Sequence, residues 1–224
     1  MKKYLVLIPA RKGSQRLPGK NMKMLGDLPL VGHSISYALK SGFYDIFVTT
    51  NDPDIVQYSS KRNVKVINRP DALAGNEEPI LTAVQHAVAS VEKGYDAVIL
   101  LQPTNPLRPK SLLRKAIEVF EYENVESLMT VSRNEHKLGT ITDNRFIPYN
   151  YKMGQRSQDL EPLYFENGLI YIVSTKLLKK GSLLGNTNYP LIVDHPFSEI
   201  DIDTESDFEK AEMYYEFYKE NNSD

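Results

Sequence analysis

An unbroken apolar run, Tyr4-Leu5-Val6-Leu7-Ile8, stops at Pro9 near the start of the chain. A strand with hydrocarbon on both faces must be covered on both faces, which is the situation inside a parallel sheet flanked by helices. The loop that follows holds Arg11, Lys12, Arg16 and Lys20, four cations in ten residues, with Gly13, Ser14 and Gly19 among them. Open α/β sheets place anionic ligands at the carboxyl end of a first strand. Small residues let backbone N–H groups approach phosphate oxygens, and long cationic side chains neutralise them. Charge alone leaves two readings, an anion site or a solvated basic loop. Neither G-x-G-x-x-G nor G-x-x-x-x-G-K-[ST] follows the strand, so neither the dinucleotide fingerprint nor the P-loop applies.

The pattern continues as alternating strands and helices. A helix is expected over residues 28–41, with Leu30, Ile35, Ala38 and Leu39 on one side and Gly42 after it. Ile46-Phe47-Val48 and residues 64–67 read as short buried strands, with a helical stretch over 54–61 between them. After Arg69-Pro70, Asn76 is placed to cap a helix with Glu77, Glu78 and Pro79 in its first turn. Ile80, Val84, Val88 and Val91 then mark its buried stripe, and His86 falls off it, as a surface residue does. Residues 97–101 form a fourth strand, 110–123 an amphipathic helix with Leu113, Ile117 and Phe120 inward, and 127–132 a fifth strand. The order predicts a doubly wound, mostly parallel α/β sheet, Rossmann-like, in one domain over residues 1–224. From 133 to 166 no period is sustained, and a connection of that length is usually a functional or partner-binding insertion.

Composition narrows the function. A net charge of −2 argues against nucleic acid, since the positive charge is local to the first loop. No cysteine is present, which excludes disulfides, thiolate catalysis and Cys-ligated zinc, and is consistent with a reducing cytoplasm. Met-Lys-Lys leads straight into a strand and no apolar stretch is long enough to span a bilayer, so neither a signal peptide nor a membrane segment is expected. Near the other end, Ile200-Asp201-Ile202-Asp203-Thr204 alternates as a strand does, which puts both aspartates on one face. Two neighbouring carboxylates repel unless a cation or proton is shared, and the spacing suits a hard divalent metal. Thr204 or Asp203 can also cap the closing helix at 205–220.

IPARKGSQRLPGKN resembles the N-terminal signature of the acylneuraminate cytidylyltransferases, the CMP-sialic acid synthetase family. LLQPTNPLR, QRSQDLEPLYFENGLIYI and IDIDTESDFEKAE are similar to three further blocks of that family. The resemblance implies a nucleotidyltransferase that transfers CMP from CTP to the anomeric 2-hydroxyl of a sialic-type nonulosonic acid, releasing pyrophosphate. It implies that Arg11, Ser14, Lys20, Asn21 and Arg69 hold the nucleotide, that Gln102 and Tyr171 meet the sugar, and that Asp201 and Asp203 bind magnesium. It further implies that residues 133–166 are a dimerisation arm of a homodimer, with Arg156 acting in the neighbouring subunit's site and Lys137 as a second basic residue of the arm. Arg11, Lys20, Asp201, Asp203 and Arg156 are the implied catalytic set. For Tyr171 a half-buried strand tyrosine, and for Arg108 a structural bond to the loop backbone, are equal alternatives.

Several positions depart from the family pattern. Gln15 replaces a lysine, with Lys12 and Arg16 close by to replace the lost cation. Ser157 and Phe165 stand where some members carry a second arginine, which points to a modified or different acid sugar. Glu77 and Glu78 occupy a loop otherwise rich in small hydroxyl residues where it meets cytosine, which leaves guanine open. RLPGK is also similar to the Kdo cytidylyltransferases, but no carboxylate lies between Asp96 and Glu118 to supply their loop aspartate. A Kdo-type or GTP-using enzyme of the same fold is the alternative, and a non-catalytic nucleotide-sugar-binding protein a more distant one.

Overall fold

The computed structural model describes residues 2–43 and 45–220, with Glu220 as backbone only. Met1, the first residue of the Met-Lys-Lys lead-in, lies outside the described residues. The opening run forms β1 (Tyr4–Pro9), with Leu5, Val6, Leu7 and Ile8 wholly buried. Val6 and Ile8 pack into one core cluster and Leu5 and Leu7 into another on the opposite face. Burying such a side chain contributes about 1.5–3 kcal/mol each. That double burial is why the run is apolar without alternation.

A small hairpin, β2 (Met24–Leu25) and β3 (Leu28–Pro29), leads into α1 (Leu30–Lys40). Next come β4 (Ile46–Thr50), α2 (Pro53–Ser60), β5 (Lys65–Asn68), α3 (Ile80–Ala89), β6 (Ala97–Leu100), α4 (Leu112–Tyr122) and β7 (Ser127–Asn134). The exposed hairpin β8 (Gly139–Thr142) and β9 (Arg145–Pro148) precedes β10 (Leu163–Ser174), α5 (Thr175–Lys179), β11 (Asn188–Ile192) and α6 (Glu205–Glu220). The main sheet has seven strands in the order β11-β7-β10-β6-β1-β4-β5. All neighbours are parallel except β10, which runs antiparallel to both β6 and β7. From β1 the chain winds outward to β4 and β5, then returns to β6 on the other side. The crevice at that reversal is where an open α/β sheet takes its ligand.

Four local expectations are corrected. Leu39 is exposed, and Val31 is buried in its place on α1. Asn76 does not cap α3: the residue before a proline is kept out of the helical region, so the helix starts at Ile80, after an extended Pro79. Glu77 and Glu78 therefore lie on the loop and not in a first turn. The Ile200–Thr204 stretch is no strand, since its backbone ties to the fold through Ile202 N–H to the Thr104 carbonyl at 2.8 Å instead of a ladder. The 133–166 segment is shorter as an insertion, because β7 extends to Asn134 and pairs with β10 from Leu163 onward. Between them, β8 and β9 form a hairpin whose two turn residues, Asp143 and Asn144, both have positive φ (50° and 58°), as a two-residue turn between twisted strands requires.

Candidate active site

The loop after β1 turns back through Gly19, whose φ of +66° admits a tight turn into Lys20–Met22. Lys20 is thereby driven inward to 9% exposure, with its Nζ donating to the Ile202 carbonyl at 2.8 Å and to Asp203 Oδ1 at 2.9 Å. Arg16 donates to the other oxygen of Asp203 at 2.6 Å. Arg11 spans from its own loop to the next segment, with its guanidinium donating to Gly13 O at 3.2 Å and Ala74 O at 3.4 Å. Asn21 Nδ2 donates to Arg11 O at 3.0 Å and so fixes the backbone at the root of that side chain. The Lys12 backbone N–H donates to Asn51 Oδ1 at 2.8 Å.

Arg69, just beyond β5, is buried against Thr49, donating to its hydroxyl at 3.3 Å and its carbonyl at 2.9 Å. Burial and then the nearby Arg11 charge lower its pKa to about 10, so it stays cationic at neutral pH. Arg11, Ser14, Lys20, Asn21, Arg69 and Gln102 all line one open cavity of about 270 Å³ at the carboxyl ends of the parallel strands. Three separate segments of chain thus meet at the reversal of strand order.

Asp201 and Asp203 stand beside this cavity, joined to it through Thr104 and Lys20 respectively. Asp201 remains open to solvent, yet desolvation by the surrounding protein raises its carboxyl pKa, the Thr104 hydrogen bond opposes that, and the Asp203 charge adds to it. Thr204 starts α6, with its N–H and hydroxyl donating to Asp207 Oδ2 at 2.8 Å each and its oxygen accepting from Asp207 N–H at 3.3 Å. The cap and the paired carboxylates therefore coexist. Magnesium needs only one or two protein carboxylates when phosphates and water complete its octahedron. Asp201 and Asp203 fit that role, since a dication relieves their repulsion, and each carboxylate has lone pairs beyond those Lys20 and Arg16 use. Among the described residues no three acidic, His or Cys side chains gather as a metal cage, so substrate oxygens must complete any such site.

Tyr171 on β10 is half-buried and donates to Glu166 Oε2 at 3.1 Å. Burial and the Glu166 carboxylate, with Asp201 contributing, push its phenol pKa up. Arg156 is not brought to the cavity: it forms a two-bond ion pair with Asp159 on the exposed arm, at 2.8 and 3.0 Å. Lys137 also stays within the arm, on the Gln155 carbonyl. Arg108 takes the structural role. Wholly inside the protein, it donates to the carbonyls of Leu169 (2.7 Å) and Gln102 (2.8 Å) and to the Ser34 hydroxyl (3.1 Å).

The residue that sequence reasoning missed is Asn105. Its buried amide donates to Asn167 O at 3.0 Å and Ile200 O at 2.9 Å, binding the loop after β6 to the β10 bulge and to the aspartate segment. The signal was an amide directly after a buried strand and before Pro106, where a buried polar side chain needs partners.

The switch-point cavity, its three converging segments and the carboxylate pair at its edge define a Rossmann-like α/β protein with a cation-lined crevice. By its sequence the chain belongs to the cytidylyltransferase family, whose model matches residues 5–222. It is 32% identical over 215 residues to an N-acylneuraminate cytidylyltransferase of Streptococcus agalactiae, covering 92% of this chain and 52% of that protein. The chain therefore spans about half the length of that relative. A CMP-N,N'-diacetyllegionaminic acid synthase of Legionella pneumophila is 31% identical over 234 residues, covering 97% of this chain and 98% of that one. Among solved structures, a CMP:2-keto-3-deoxy-manno-octonic acid synthetase complexed with CTP superposes with a TM-score of 0.71 at 18% identity, over 96% of this chain and 99% of the other. That likeness bears out the doubly wound nucleotidyltransferase fold. No described helix is long and apolar enough to cross a membrane.

Proposed function

We propose that this protein transfers CMP from CTP to the anomeric 2-hydroxyl of a sialic-type nonulosonic acid and releases pyrophosphate. The observation that carries this reading is the convergence of Arg11, Ser14, Lys20, Asn21, Arg69 and Gln102 on one cavity in a member of this family. Arg11 and Lys20 neutralise the triphosphate and meet the charge that grows on the leaving pyrophosphate, while Ser14 and Asn21 fix its path. Arg69, held by Thr49, presents a cation that cannot swing away. Gln102, with its backbone fixed by Arg108, and Tyr171 orient the sugar acid. Magnesium bound on Asp201 and Asp203 with substrate oxygens would supply further charge neutralisation. Arg16 and Lys20 already hold Asp203, which leaves Asp201 the carboxylate freer of cationic side chains to accept the proton of the sugar hydroxyl.

This reading expects Lys20→Ala to raise the KM for CTP and to lower kcat, each by about tenfold, because the cation serves both the bound triphosphate and its leaving group. Steady-state pyrophosphate release checks it. Both parameters unchanged would make Lys20 a brace for Asp203 and nothing more.

The same reading makes the protein a homodimer in which Arg156 serves the partner's site. What supports it is the arm's surface: Ile141, Phe146, Tyr149 and Met153 are each more than half exposed beside Arg156's segment. Mixing Arg156→Ala with Asp201→Ala subunits under exchange should restore activity toward about 25% of wild type, by random pairing in a two-fold assembly. No recovery above the separate variants would return Arg156 to its own chain.

A further inference from the structure

Arg11, Lys20 and Arg69 bring three cations to the cavity, and Leu73, Pro79, Ile80 and Ala83 give it apolar lining. A triphosphate belongs against cations, and a flat, uncharged base against apolar surface. Glu78, next to Pro79 in the chain, is the sole carboxylate among the cavity's described lining residues.

Its position follows from the backbone. Pro79 keeps the preceding residue extended, so α3 begins only at Ile80 and Glu78 stays on the loop at the cavity's rim. Gly75 lies beside it, where a Cβ would make an ordinary contact with Glu78 Cγ at 3.5 Å. The Thr82 hydroxyl lies 3.2 Å from Glu78 Oε2 and 2.8 Å from the Pro79 carbonyl, the nearer acceptor for its single proton. Oε1 has no hydrogen-bond partner among the described residues.

We infer that Glu78 reads the base, accepting a hydrogen bond from an exocyclic amino group and so selecting cytosine over uracil; this rests on the nucleotide reading above. An ionised carboxylate only accepts. The 4-amino group of cytosine meets it with a donor, whereas uracil presents a carbonyl oxygen there and is repelled. Glu78 is thus a specificity-determining residue, and its carboxylate departs from the small hydroxyl residues of the family pattern without losing the ability to choose the base.

Calorimetric titration with magnesium and CTP, UTP, ATP or GTP tests this without any acid sugar, on wild type, Glu78→Gln and Glu78→Ala, with thermal unfolding recorded for each. Wild type should bind CTP at least about 30-fold tighter than UTP, the worth of one satisfied against one frustrated hydrogen bond to a charged group. Glu78→Gln brings a donor to the same place, so UTP should gain and the preference should shrink at least about tenfold. Glu78→Ala should shrink it by weakening CTP alone. An unchanged preference in folded Glu78→Gln, or a purine bound tighter than CTP, overturns the assignment of Glu78 while the nucleotide site stands. Failure of every triphosphate to bind wild type overturns the nucleotide reading and Glu78's role with it.

Discussion

Asp203→Asn should lower turnover on the order of 10²–10³-fold while the protein stays folded. The side chain sits where Lys20, Arg16 and the proposed magnesium meet, and an amide supplies none of the negative charge that gathers them. The fold survives because Asn still offers Lys20 an acceptor in place of Asp203 Oδ1, so the buried ammonium keeps both of its bonds. Losing an ion pair that is about one-third open at Asp203 moves stability little. A melting temperature within a few degrees of wild type is expected, at roughly 2–4 °C per kcal/mol for a chain of this size. Near-normal turnover in magnesium would remove Asp203 from the reaction. A collapsed melting temperature would make it a fold residue instead.

Gly168→Ala should damage stability and turnover together. Gly168 has φ of +73°, and a Cβ there would lie 2.6 Å from Asn105 Oδ1. Left-handed backbone costs a non-glycine residue about 1–2 kcal/mol. Displacing the Asn105 amide also releases two buried carbonyls, at about 1–3 kcal/mol each when left unsatisfied. A loss of about 2–4 kcal/mol in urea unfolding is expected, since part of the site relaxes. Because one of those carbonyls belongs to Ile200, the aspartate segment loosens and kcat should fall more than tenfold. Wild-type turnover in the folded variant would show that this three-way tie does not position the aspartates.

Much of the fold was legible where burial acts on whole elements. The run at residues 4–8 reports cover on both faces, and both faces are in fact packed, Leu5 and Leu7 on one and Val6 and Ile8 on the other. Alternation at Ile200 and Ile202 was misleading for the same reason: it reports one-sided burial, and a loop held by scattered bonds outside any ladder satisfies that as well as a strand does. The β8–β9 hairpin escaped notice because all but one of its residues are exposed, so no apolar period marks it, and only the Asp143-Asn144 turn betrays it. Within the site, cations clustered in sequence were visible at once. The ties that set them, such as Lys20 to Ile202 and Asn105 to Ile200, join residues 182 and 95 positions apart and leave no local pattern. Glu78 needed both levels, since only the structure shows that Pro79 holds it out of the helix.

The most direct test of the account is pyrophosphate release across a matrix of CTP, UTP, GTP and ATP against N-acetylneuraminic, legionaminic, pseudaminic and Kdo acids, in magnesium. Release is expected with CTP and at least one nine-carbon acid, with none from CTP alone and the CMP-sugar as co-product. Release that ignores the acid, or turnover confined to Kdo or to GTP, would contradict it.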